Sequence, residues 1–120
     1  MEQAFRTHVE DCDDGVTIVE LHGYLDASTA FQLDELFGAL HDRGVQRIVV
    51  ECSGLEYISS AGLGVFMAHI EPFRAAGGDI RFCALNDRIT MIVEMLGFPH
   101  IFRFYPDRER AVESYRAELQ

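Results

Sequence analysis

The chain has 120 residues, 48% of them apolar and 25% charged, which is the make-up of one soluble globular domain able to bury a core without disulfide or metal staples. Twenty acidic residues against ten basic ones give a formal charge of −10, a balance that argues against nucleic acid and anionic membrane as partners. All ten basic residues are arginine, so Schiff-base lysine, Walker-A and receiver-type phospho-aspartate chemistry are excluded.

Ala4 to Glu10 alternates, with Phe5, Thr7 and Val9 on one face, the period of a strand. Asp11 to Gly15 is a turn and Val16 to His22 a second β-rich run, so the two predict a hairpin. Gly23 to Asp26 leads into a helix on which Leu33, Leu36, Phe37 and Leu40 recur at helical spacing; Asp26 or Ser28 is placed to cap it and Gly44 to end it. Gln46 to Cys52 holds Ile48, Val49 and Val50 in a row, the pattern of a strand buried on both faces, and Ser53 to Ile58 reads as a loop.

A second helix follows from Ser59-Ser60, carrying Leu63, Phe66, Met67, Ile70 and Phe73. Pro72 inside it predicts a kink or an early end, and Gly77-Gly78 closes the segment. Asp79 to Leu85 is a strand, and Asn86 or Asp87 caps a third helix with Ile89, Ile92, Val93 and Leu96, stopped by Gly97. His100 to Phe104 is a last short strand, and Asp107 to Leu119 a terminal helix with Val112 and Tyr115 inward. The order ββαβαβαβα predicts a single α/β domain over residues 1–120: a mostly parallel mixed sheet, an N-terminal antiparallel hairpin and about four helices.

Catalytic patterns are missing. There is no G-x-S-x-G elbow around Ser60, and His8, His22, His41, His69 and His100 are scattered without metal-motif spacing. Gly62-x-Gly64 is only a fragment of a dinucleotide loop. Cys12, Cys52 and Cys83 match no zinc or redox spacing; Cys52 and Cys83 are expected as buried reduced thiols and Cys12 as an exposed one, which suits a reducing compartment. No apolar run is long enough to span a bilayer, and the N-terminal residues lack a signal core. The expectation is a cytoplasmic, non-enzymatic protein without cofactor or membrane insertion.

The informative segment is Leu55 to Val65, where a strand leads through two serines into a helix start rich in small residues. Ser59 and Ser60 both suit an N-cap. Gly62 and Gly64 in the first turns destabilise the helix by roughly 1 kcal/mol each against alanine, so close packing against the sheet or a partner's backbone must offset them. A phosphate on a hydroxyl here would meet the exposed N–H groups of a helix N-terminus, gaining about 0.3–1 kcal/mol. The fold tolerates that charge, and a partner packed over it does not.

These residues resemble the STAS family, in particular the bacterial anti-sigma-factor antagonists. Gly23-Tyr-Leu-Asp26-Ala-Ser-Thr29-Ala resembles the family's G-x-L-D-x-x-T-A segment, and Glu51 to Gly64 its D-L-S-x-x-x-x-[ID]-S-[ST]-[SA]-G-L-G stretch. The likeness in element order runs along nearly the whole chain. It implies binding to a histidine-kinase-like ATPase that serves as anti-sigma factor and serine kinase, release on phosphorylation, and reversal by a metal-dependent Ser/Thr phosphatase. Ser60 falls on the phosphoacceptor, with Ser59, where many members carry Asp, as the alternative. Asp26 falls on the acidic residue near it. Asp26, Thr29, Ser59, Ala61, Gly62, Leu63 and Gly64 are implied as partner-binding. The alternative within the family is a structural STAS subunit of a lipid-transport ATPase complex.

Overall fold

Alternation near the N-terminus produces the hairpin. In the computed structural model, which describes residues 4–119, β1 (Arg6–Asp11) and β2 (Val16–Leu25) pair antiparallel, with Val9 opposite Val19. Gly15 turns the corner at φ +77°, a left-handed conformation that glycine adopts without steric penalty. β3 (Arg47–Ile58), β4 (Asp79–Cys83) and β5 (Arg103–Tyr105) add in parallel, so the spatial order β1-β2-β3-β4-β5 repeats the chain order.

The helices are α1 (Ala30–Asp42), α2 (Ser60–Ala75), α3 (Asp87–Met95) and α4 (Arg108–Glu118). Alternate residues of a strand face opposite ways, and the run Ile48-Val49-Val50 feeds two cores. Ile48 and Val50 join Leu33 and Phe37 of α1, Phe66 and Phe73 of α2, and Ile89 and Val93 of α3. Val49 joins Val16, Ile18 and Cys83 under Ala111, Val112 and Tyr115 of α4. Three helices therefore cover one face of the sheet and α4 part of the other.

Arg81 is only 3% exposed on β4. Its guanidinium is paired with Asp79 (3.0 Å) and Glu118 (2.7 Å) and lies 4.0 Å from the centre of the Tyr115 ring. The Tyr115 hydroxyl donates to the Ile48 carbonyl at 2.8 Å, so α4 is fixed to the sheet by polar as well as apolar contacts. Cys52 and Cys83 are buried and Cys12 is half-buried rather than exposed.

Several predicted boundaries move. Residues 53–58 are strand, not loop: β2 and β3 continue in register through His22–Gly54 and Leu25–Ile58, with irregularities between Glu20 and His22 and between Gly23 and Tyr24. Gly44, Gly77 and Gly97 end their helices at positive φ as expected, whereas Gly54 and Gly23 serve close approach. A Cβ on Gly54 would stand 2.2 Å from His22 Nδ1, and one on Gly23 2.3 Å from the Ala4 carbonyl oxygen.

Pro72 does not end α2 early. It sits in the last turn, the buried Phe73 anchors that turn, and Arg74 bonds Asp79 (2.9 Å) and the Ile101 carbonyl (2.6 Å). β4 stops at Cys83, with Ala84 at φ +60° turning the chain. The predicted strand at 100–104 starts instead as a 3-10 turn, Phe98–His100, because Gly97 (φ +76°) and Pro99 favour a tight turn before β5.

Candidate functional site

β2 and β3 both end, in parallel, at the start of α2. Loops beyond the carboxyl ends of parallel strands are the usual place for function in such sheets. The Ser59 N–H donates to the Leu25 carbonyl at 2.9 Å, which ties the start of α2 to the end of β2. Gly62 lets that junction close: a Cβ there would lie 2.6 Å from Leu25 Cγ.

Asp26 does not cap α1. Its Oδ1 accepts from the Ser28 N–H (2.9 Å) and hydroxyl (2.8 Å), while the Thr29 hydroxyl accepts from the Asp26 N–H and donates to the Tyr24 carbonyl, both at 2.9 Å. The N-cap position of α1 is Thr29, with no side-chain bond to the helix. The bonds from Ser28, then those from Thr29, hold the Asp26 carboxyl below its usual range. The loop is thus stiffened around an ionised carboxylate.

The two serines differ. Ser59 occupies the N-cap of α2, yet makes no side-chain cap bond, and its hydroxyl is buried with no partner among the described residues. Ser60 is the first helical residue and is exposed. Together with Asp26, Ala27, Ser28, Tyr57, Ser59 and Ala61 it lines one shallow, open depression. Asp26 is the only charged residue in that lining. Ala61 and Gly64 are exposed, and a Cβ on Gly64 would meet nothing within 4 Å. Gly62 and Leu63 lie beneath this surface, with Leu63 3% exposed in the main core.

Tyr57 was not singled out from sequence, because residues 53–58 read as loop. As strand, it stands opposite Tyr24, with ring centroids 6.2 Å apart. The alternation Leu55, Tyr57 beside Tyr24 was the available signal.

Neither serine hydroxyl is bonded to a histidine among the described residues. His69 pairs with Asp34 at 2.8 Å between α1 and α2, and His41 packs on Phe73. Burial pushes the Cys83 thiol up to about 12 and raises that of Cys52 as well, which disfavours the reactive thiolate. No helix among the described residues is long and apolar enough to cross a membrane.

The STAS domain family model matches residues 9–111. BtrV of Bordetella bronchiseptica, a provisionally named anti-sigma factor antagonist, is 33% identical over 106 residues, covering 88% of this chain and 91% of that protein. The anti-sigma F factor antagonist of Paenibacillus polymyxa is 30% identical over 102 residues, covering 82% of this chain and 85% of that one. Among solved structures, an anti-sigma factor antagonist from Mycobacterium paratuberculosis superposes with a TM-score of 0.87 at 26% identity, covering 97% of this chain and 99% of that one.

Proposed function

Because the chain belongs to the STAS domain family, we propose that it is an anti-sigma factor antagonist working by partner switching. It binds a serine kinase of the histidine-kinase-like ATPase fold that doubles as an anti-sigma factor, and binding frees the sigma subunit. Phosphorylation of Ser60 ends the complex, and a metal-dependent Ser/Thr phosphatase restores it. The protein acts in the cytoplasm and catalyses nothing itself. The names carried by relatives at 33% and 30% identity support the antagonist reading.

The observation that carries the finer reading is the contrast between two neighbouring hydroxyls. A kinase must bring the acceptor oxygen in line with a γ-phosphate. Ser60 is exposed on the rim of an open depression, whereas the Ser59 hydroxyl is buried. Ser59 borders the same depression, but its hydroxyl points inward and would have to rotate out to meet a kinase. This favours Ser60 as the acceptor. Asp26 and Thr29 hold the neighbouring loop, and Ala61 and Gly64 give the partner a flat approach.

The effect of the phosphate follows from charge. At the N-terminus of α2 it is stabilised by the helix dipole, so the fold stays intact. Over the same spot a partner surface must desolvate or repel roughly two new negative charges, which weakens the complex by about 30–1000-fold. No arginine lines the depression to neutralise them.

The test is intact mass of protein purified from its own cells, followed by mapping of the peptide covering residues 48–74. One added phosphate on Ser60 is the expected result. With the kinase in hand, Ser60→Ala binds and stays bound, and Ser60→Asp folds but loses affinity. Lost binding in a well-folded Ser60→Ala, or unchanged affinity in Ser60→Asp, sinks the switch. No phosphate under growth, stress and stationary conditions shifts the reading to a structural subunit.

A further inference from the structure

The sheet face that carries α4 is only partly covered. α4 lies over Val16, Ile18, Val49 and Cys83. Farther along the hairpin, Arg6, His8 and Glu10 of β1 are exposed and Glu20 and His22 of β2 are half-buried. His8 stands directly opposite Glu20 in the antiparallel register, which brings the two Cβ atoms to about 5 Å. Glu10 follows two residues along β1 on the same face. One donor atom from each of His8, Glu10 and Glu20 lies within 4.8 Å of the other two.

We propose that His8, Glu10 and Glu20 form a binding site for a divalent cation of the zinc class. One imidazole with two carboxylates suits zinc and its borderline neighbours. Calcium and magnesium take oxygen ligands and have no use for His8. Arg108 reaches in from α4, with Nη2 at 2.6 Å from Glu20 Oε2 and Nη1 at 3.2 Å from Glu10 Oε1. It bonds one oxygen of each carboxylate, as a group that orients a metal ligand from outside the coordination sphere would.

His22 completes the surroundings. Its Nε2 is 3.3 Å from Glu20 Oε1, and its ring occupies the space that a Cβ on Gly54 would fill. A second imidazole nitrogen is therefore held at the edge of the cluster. Anchoring of α4 accounts for Glu10 and Glu20 as partners of Arg108. It leaves His8 without a role, since His8 makes no hydrogen bond or ion pair among the described residues.

The test is calorimetric titration of the reduced full-length chain with zinc chloride in a non-coordinating buffer, alongside His8→Ala. His8 is exposed and makes no polar contact, so circular dichroism of this variant should match the parent. The expected result is one equivalent of zinc bound with a dissociation constant on the order of micromolar, weakened about tenfold or more in His8→Ala, since removing even a group that only orients a ligand costs about 10–100-fold. No saturable heat overturns the proposal. So does an affinity that His8→Ala changes by less than about tenfold. A sulfur-to-cobalt charge-transfer band on titration with cobalt(II) overturns it too, because it puts the metal on a cysteine.

Discussion

Gly62 and Gly64 are two residues apart on one helix and answer to different forces. Gly62 is required by the fold: a methyl group there would press to 2.6 Å from Leu25 Cγ and 3.2 Å from the Leu25 carbonyl oxygen. Gly62→Ala should therefore destabilise the free protein by about 1–3 kcal/mol, as overpacking does. Gly64 has open space around its Cα. Gly64→Ala should stabilise the free protein by about 0.5–1 kcal/mol through helix propensity alone, and should weaken the partner complex if the partner's backbone lies against it. Urea denaturation of the two variants checks the first pair of expectations, and two shifts of the same sign would defeat the assignment. The sequence made both glycines conspicuous, because a helix start should avoid them. It could not say which one the sheet needed, since that depends on where Leu25 lands. The same holds for Ser59 and Ser60. Both satisfy the chemistry of an N-cap, and only the direction of each hydroxyl separates them.

At the scale of elements, periodicity identified all four α-helices of the described residues, and the buried run 48–50 announced the central strand. The misreading of 53–58 has a physical source. A strand of 12 residues exceeds the usual length, and Gly54 carries the composition of a turn. Its real cause is a contact with His22 on the neighbouring strand, which no local pattern reveals. Hiding that stretch also hid the Tyr24–Tyr57 pair at the edge of the site. Pro72 was legible as a helix breaker, but propensity was overridden by tertiary contacts from Phe73 and Arg74. Proline in a helix interior is about 3 kcal/mol less favourable than alanine. Pro72 lies in the last turn on the exposed side, so Pro72→Ala should raise stability by a smaller amount, about 1–2 kcal/mol. The gain should appear as a higher urea midpoint with an unchanged slope. A lower midpoint would mean that the proline ring itself packs in the native state.

For the molecule as a whole, the question is how a chain of charge −10 keeps its acidic strands together. Arg108 is the common partner of Glu10, Glu20 and Glu51, one carboxylate from each of β1, β2 and β3. Its hydrogen bond holds the Glu20 carboxyl below the ordinary glutamate value of 4.5. For Glu51, burial pushes the other way and is outweighed by bonds from Ser53 and Arg108, so its value is lowered as well. A carboxylate whose value is lower in the folded than in the unfolded state stabilises the fold above its unfolded value, and that contribution is lost as the pH falls through the folded value. The stabilisation is therefore complete at neutral pH and declines from about pH 4.5 downward. Arg108→Gln should remove it, leaving three acidic groups to repel one another, at a cost of about 1–2 kcal/mol at pH 7. Below about pH 4 the carboxyls are increasingly protonated, the repulsion fades, and the two proteins should converge in stability. Comparing parent and variant at each pH cancels the general relief of negative charge that acid brings to both. Urea unfolding from pH 7 to pH 3 reads the difference directly. A gap that stays constant across that range would mean that the Arg108 side chain acts by packing against the sheet, with its charge contributing nothing to how α4 is held.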